Sequence, residues 1–156
     1  MERSEILKVS YRLIRHSEGG WFRELYTAST THDNRPLAGS IYFLLDGEEI
    51  SHFHQIDCDE IWYYHEGCGM KITVLNDNAM SEYFLGPDIE NGQNFFVVIP
   101  QNAIFAAENL DKEGGFTFVS CVTTPKFRYE GFRLVSKFEI RAKYPDIADK
   151  IEYLAY

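Results

Sequence analysis

The sequence predicts an all-β domain, a sandwich or barrel of short strands with one helix ahead of it and short helices behind it. Three observations carry that reading. Runs of about four to eight β-branched, aromatic and aliphatic residues recur along the chain. Gly, Asp, Asn and Pro clusters divide them at short intervals, as turns do. A hydrophobic fraction of 45% and an aromatic fraction of 15% over 156 residues supply one sizeable core, and that length suits a single domain, 1–156.

The elements follow in order. From Ser4 to about Ile14 the apolar residues Ile6, Leu7, Tyr11, Leu13 and Ile14 fall at helical rather than alternating spacing. Gly19-Gly20 ends that segment, and a strand begins in which Trp21, Arg23 and Leu25 share one face and Phe22, Glu24 and Tyr26 the other. Arg23 and Glu24 therefore cannot both face one pocket. Thr27 to Pro36 is polar and reads as an exposed loop. Gly39 to Leu45 is an almost continuous apolar strand that ends at Asp46-Gly47, a hairpin signal. Two strands surround the turn near Asp57-Cys58. Met70–Leu75, Ser81–Leu85, Asn94–Ile99 and Phe116–Thr123 read as further strands, the last stopped by Pro125. Ser136-x-x-Glu139 is a capping box at a helix start. Another short helix fits the stretch from Pro145 to Leu154.

Composition narrows the function. Fifteen Lys and Arg against 24 Asp and Glu give a net charge of -9, which argues against nucleic acid or an anionic membrane as a partner. No apolar run reaches the length of about 20 residues that a membrane span needs. The charged N-terminus lacks the apolar core of a secretory signal. Three cysteines, Cys58, Cys68 and Cys121, without a C-x-x-C pair, fit free thiols in a reducing cytoplasm.

The chemistry concentrates between Gly47 and Gly67. Alternation along a strand puts His52 and His54 on one face, with Phe53 turned away. Glu60, Trp62 and Tyr64 share a face of the next strand, and if the two strands pair, Glu60 converges on the histidines. Two imidazoles and a carboxylate form a facial triad suited to a catalytic divalent metal such as Fe, Mn, Ni or Zn. Without metal, His54 beside an acid still titrates near neutrality, as a general base or acid requires.

A glycine, His52-x-His54, Glu60 and, after six intervening residues, Gly67 resemble the first motif of the cupin superfamily. The spacing from His54 to Glu60 is longer than usual, and Asp59 is a rival ligand. Pro100, Asn102 and Asn109 resemble the second motif, with Asn102 in place of a glycine and Phe105 in place of the histidine that supplies a fourth ligand. His16-Ser-Glu18-Gly19-Gly20-Trp21-Phe22-Arg23-Glu24 is similar to the opening of cupin family 5, except at Ser17. The likeness runs from about Leu13 to Pro145.

The resemblance implies a cupin double-stranded β-helix, an RmlC-like jelly-roll barrel, with a small-molecule cavity and a homodimer as its common assembly. The apolar residues on both parities of Ile41–Leu45 fit a sheet covered on both sides. Implied functions are an enzyme acting on a small polar metabolite, a non-catalytic ligand binder or sensor, or an epimerase like the dTDP-sugar epimerases known as RmlC. The expected catalytic residues are His54, Glu60 and Tyr64. Those expected to bind ligand are Arg23, Tyr42, Trp62 and Phe105, although Trp62, Tyr64 and Phe105 are most simply core and Arg23 is equally read as half of an ion pair at a subunit edge. A metal is expected on His52, His54 and Glu60. His16, His32 and His65 carry weaker cases, His65 because its parity turns it away.

Overall fold

The computed structural model describes all residues from Met1 to Tyr156. Helix α1 (Arg3–Ser10) leads into β1 (Ile14–Arg15) and β2 (Trp21–Thr27), a small β3–β4 hairpin (Thr31–His32, Arg35–Pro36), and β5 (Gly39–Asp46). There follow β6 (Ile50–Ile56), β7 (Asp59–Gly67), β8 (Met70–Asn76), β9 (Ala79–Leu85), β10 (Phe96–Ile99), β11 (Ile104–Asn109), β12 (Phe116–Thr124) and β13 (Phe132–Leu134). Helices α2 (Lys137–Lys143) and α3 (Ala148–Ile151) close the chain. No helix is long and apolar enough to cross a membrane.

The strands form two open sheets, β1-β2-β5-β12-β7-β10 and β13-β6-β11-β8-β9. From β5 to β8 and again from β9 to β13 successive strands alternate between sheets, the crossover pattern of a jelly roll, with β8 and β9 paired as a hairpin in the second. Asp46-Gly47 is therefore a turn between sheets rather than a hairpin, and β6 and β7 are not paired. His54 and Glu60 face each other from opposite sheets, a relation that local spacing could not show.

The inner faces share one core, with Phe43, Trp62, Val119 and Cys121 from the first sheet against Ile72, Val74, Phe105 and Ala107 from the second. The two-sided apolarity of β5 is met within the chain, because Leu44 packs with Phe118 beneath Leu7 and Leu13 of the α1 segment. The outer face of the second sheet, at Phe53, Leu75, Ile104 and Ala106, is covered by Val135, Ile140, Ile151 and Leu154. Ser136 caps α2 by accepting from Glu139 N at 3.2 Å, while the Glu139 carboxylate pairs with Arg133 and Lys143 instead of reaching back.

The expected loop at Thr27–Pro36 contains the β3–β4 hairpin, turned by Asp33 and Asn34 at φ 50 and 61. Those values suit residues whose short polar side chains tolerate left-handed backbone. Asn102 stands at φ 66 for the same reason, filling the place of a glycine.

Candidate functional site

One irregularity decides what faces the interior. Along β6, Phe105 of β11 pairs with His54 and Ala107 with Ser51, so two residues, His52 and Phe53, oppose Ala106 alone. Such a bulge reverses the parity of everything before it. Ser51 and His54 both point inward, Phe53 packs outward among the helices, and His52 is displaced. The expectation that His52 and His54 project together fails on that one extra residue.

The space inside was claimed by an element upstream. Gly19 (φ 108) lies so close to β6 that a Cβ would come within 2.0 Å of the Ile50 carbonyl oxygen. Only glycine permits that approach. The turn is tied down by the Glu18 carbonyl, which accepts from the His52 backbone N–H at 2.8 Å and from His52 Nδ1 at 2.9 Å. Glu18 is thereby carried into the barrel, where its carboxylate meets His54 Nε2 at 3.0 Å and accepts from Ser51 Oγ at 3.0 Å.

His54 donates from Nδ1 to the His52 carbonyl at 2.7 Å. With Nδ1 a donor and Nε2 against a carboxylate, the pair is imidazolium and carboxylate. Burial works against both charges, but the field and hydrogen bond of His54, with His16 and Ser51, bring the Glu18 carboxyl down to about 2. Burial likewise opposes the His54 charge, yet Glu18, the His52 carbonyl and Glu60 together raise its pKa. Glu60 is different. Burial first, then the negative charge of Glu18, push its carboxyl up to about 7, with His54, Cys121 and Trp62 pulling it only part of the way back. Trp62 Nε1 stops short of a hydrogen bond and is a buried donor without a partner. Burial, then Glu60 and Glu18, raise the Cys121 thiol well above its ordinary value, so it is inert as a nucleophile.

These groups open into a cavity of about 310 Å³. His16, Glu18, His54, Glu60, Trp62 and Cys121 supply its polar and aromatic depth, Phe22, Phe43 and Phe127 its apolar walls, and Glu24, Lys126, Arg128 and Tyr129 its mouth. Lys126 is paired with Glu24, and Arg128 with Asp57, which also binds Arg35.

Of the residues expected from sequence, His54, Glu60 and Trp62 line this cavity. Phe105 is fully buried behind His54, at a ring distance of 4.1 Å, and supports the imidazole. Tyr64 turns its hydroxyl to the Gly67 carbonyl at 2.7 Å, and Asp59 accepts from Gln101 N at 2.8 Å. Neither lines the cavity. Tyr42 and Arg23 stand on the outer face of the first sheet, Tyr42 against Tyr11 and Phe118 and Arg23 bonded to the Tyr11 carbonyl. The parity of β2 had already separated Arg23 from Glu24, and the structure turns Glu24 inward. Glu18 and His16 are the functional candidates that spacing within the His-x-His region could not find; their signal was the Glu-Gly-Gly turn.

The expected metal set is not assembled. His52 is outside the cavity, both ring nitrogens of His54 are engaged, Phe105 offers no donor, and no group of three or more His, Cys, Asp or Glu side chains is placed to hold an ion. The donors present do not fit a cupin metal centre, and no chemistry here is routed through one.

Comparison with known proteins agrees with the fold. The family model "Cupin superfamily (DUF985)" matches residues 6–135. An uncharacterized protein of Saccharomyces cerevisiae, YML079W, is 28% identical over 93% of this chain and 82% of its own. The crystal structure of protein SO0799 from Shewanella oneidensis superposes with a TM-score of 0.93 at 31% identity, covering 100% of this chain and 99% of that one. Oxalate decarboxylase from Bacillus subtilis, which has Mn(II) centres, is similar at a TM-score of 0.57 and 19% identity over 90% of this chain and 36% of that one, a likeness of fold alone.

Proposed function

The chain belongs to the DUF985 family of the cupin superfamily, and from that premise we propose that it binds a small polar metabolite in its barrel and performs acid–base chemistry on it. The observation that carries this is the convergence of Glu18, His54 and Glu60 at the bottom of one cavity. A carboxyl held at about 7 can give or take a proton at neutral pH, which is the property a general acid or base needs. Glu60 is the group that exchanges the proton. The His54 imidazolium offsets part of the charge that forms when Glu60 ionises, and Glu18 opposes it, which keeps the carboxyl poised near neutrality.

The epimerase reading draws less support. It wants a tyrosine opposite the histidine, yet neither Tyr42 nor Tyr64 reaches the cavity and Tyr129 stands at the exposed mouth; it also wants free cations for a nucleotide, and Lys126 and Arg128 are each matched by an acid.

A metabolite extract incubated with the wild-type protein and with Glu60→Gln tests the proposal, with mass spectrometry of both the solution and the retained fraction. Consumption of one compound by the wild type alone supports it. A compound retained unchanged by the wild type makes the protein a receptor, and no compound retained or changed removes the reading.

The three free thiols are consistent with a cytoplasmic location. We also propose a homodimer. With β5 covered by α1, the outer surface available for it is at Tyr63, Phe96 and Val98 on β7 and β10, all more than 40% exposed. Light scattering that gives a monomer mass at micromolar concentration rejects it.

A further inference from the structure

His16 does more than hold the Glu18 turn. The Glu18 backbone N–H donates to His16 Nδ1 at 3.1 Å, so Nδ1 keeps its lone pair and the ring proton sits on Nε2. That Nε2–H donates to no protein atom, although the side chain is only 7% exposed and lines the cavity. Burial lowers the His16 pKa, which favours this neutral ring. The ring stands in an aromatic box, its centroid 4.7 Å from Phe22, 6.2 Å from Phe127 and 6.4 Å from Phe43. Trp62 Nε1 is a second donor in the same cavity wall without a partner. The His16 N–H faces the open cavity, so a ligand that fills the cavity desolvates it, and leaving it without an acceptor is then costly; a ligand that brings the acceptor avoids that cost.

The charges around the box are matched apart from Glu60, whose carboxyl holds its proton below about 7. Glu18 is paired with His54, Glu24 with Lys126, and Asp57 with Arg35 and Arg128. No free cation awaits an anionic ligand, and apolar walls penalise a charged one of either sign. The volume of 310 Å³ has room for about ten water-sized groups.

Resting on the small-molecule reading above, we infer that the cavity selects an uncharged carbonyl compound, its oxygen accepting from His16 Nε2–H and its apolar body lying among Phe22, Phe43 and Phe127. His16 is then a specificity-determining residue, and the carbonyl end is the part of the ligand that His16 fixes.

Four probes that share a phenyl ring test this at pH 6, where Glu60 is mostly protonated: acetophenone, ethylbenzene, benzoate and benzylamine. Binding is followed by NMR of protein carrying isotope-labelled histidine. Acetophenone is expected to shift the His16 Nε2 resonance and to bind about tenfold more tightly than either charged probe. His16→Phe is expected to weaken acetophenone about tenfold more than it weakens ethylbenzene, and His16→Gln, which retains an N–H donor, to keep most of the acetophenone affinity. Benzoate or benzylamine binding as tightly as acetophenone overturns the inference, as does acetophenone binding without a shift at His16 or an equal loss of both neutral probes in His16→Phe. In those outcomes the cavity still binds small molecules. Failure of all four to perturb His16 or His54 overturns the inference and the small-molecule reading together.

Discussion

The Glu18 carboxylate lies 3.0 Å from Nε2 of His54, the two side chains approaching from the turn between β1 and β2 and from β6 and both almost wholly buried. A buried ion pair of this kind is satisfied only as a unit. His54 also has the His52 carbonyl and Glu18 has Ser51, so each remaining hydrogen-bonding direction is met. The pair therefore fixes the charge of the site before any ligand arrives.

Removing one partner is expected to cost about 3 to 5 kcal/mol near pH 6, because the other is left charged in the interior or must be neutralised. Glu18 has a folded pKa below its unfolded value, so its contribution is present above about 4.5 and is lost as pH falls toward about 2. His54 has a raised folded pKa, so its contribution is full below about 6.5 and is lost as pH rises through the folded value. Denaturant unfolding of wild type and Glu18→Gln should show a large gap near pH 6 that narrows toward pH 2. An equal gap at both ends would mean that Glu18 packs without pairing.

Glu60 carries the opposite sign. Its folded pKa of about 7 lies above the ordinary carboxyl value, so the folded state holds this proton more tightly than the unfolded chain does. Stability from the neutral carboxyl is full below about 4.5 and is lost as pH rises through 7. Glu60→Gln keeps the shape and removes the ionisation. It should stabilise the protein by a few kcal/mol at pH 8 and by almost nothing at pH 4. A thermal melt that shows no gain at pH 8 would place Glu60 in a wetter setting than the cavity floor.

Metal ions should be bystanders. Protein purified without an affinity tag is expected to contain well under one equivalent of iron, manganese, nickel or zinc, and its melting temperature should not move with chelator or with added Mn(II). The reason is the ligand set: His54 has no free lone pair and His52 points elsewhere. One tightly held metal per chain, lost on His54→Ala, would reverse this conclusion.

Much of the fold was legible because it is written in short-range pattern. The strand runs, the Asn102 turn, the Ser136 cap and the β2 parity depend on residues within a few positions of one another. The site depended on three things that are not local. Whether β6 and β7 pair is a property of the crossover topology, and a bulge at His52-Phe53 is set by the register of β11, more than fifty positions away. The arrival of Glu18 needs a glycine to slip beneath a carbonyl that belongs to another strand. His54, Glu60 and Trp62 survive because their own faces were read correctly; His52 does not, because one inserted residue flips it.

That glycine gives the most direct test of how the site is assembled. Gly19 combines φ 108 with a Cβ position 2.0 Å from the Ile50 oxygen, whereas Gly92 has φ 89 and nothing within 4 Å of its own. Gly92→Ala should therefore cost only the backbone penalty, about 1 to 2 kcal/mol. Gly19→Ala adds a collision with main chain that no rotamer relieves, so it should cost about 3 kcal/mol or more, or force the turn off β6. If the turn lifts, His52 loses the Glu18 carbonyl and His54 loses its counterion together. The variant should then show the flattened acid profile of Glu18→Gln even though every titrating residue is intact. Equal penalties for the two alanine variants, with an unchanged acid profile in Gly19→Ala, would show that the turn is not what carries Glu18 into the barrel.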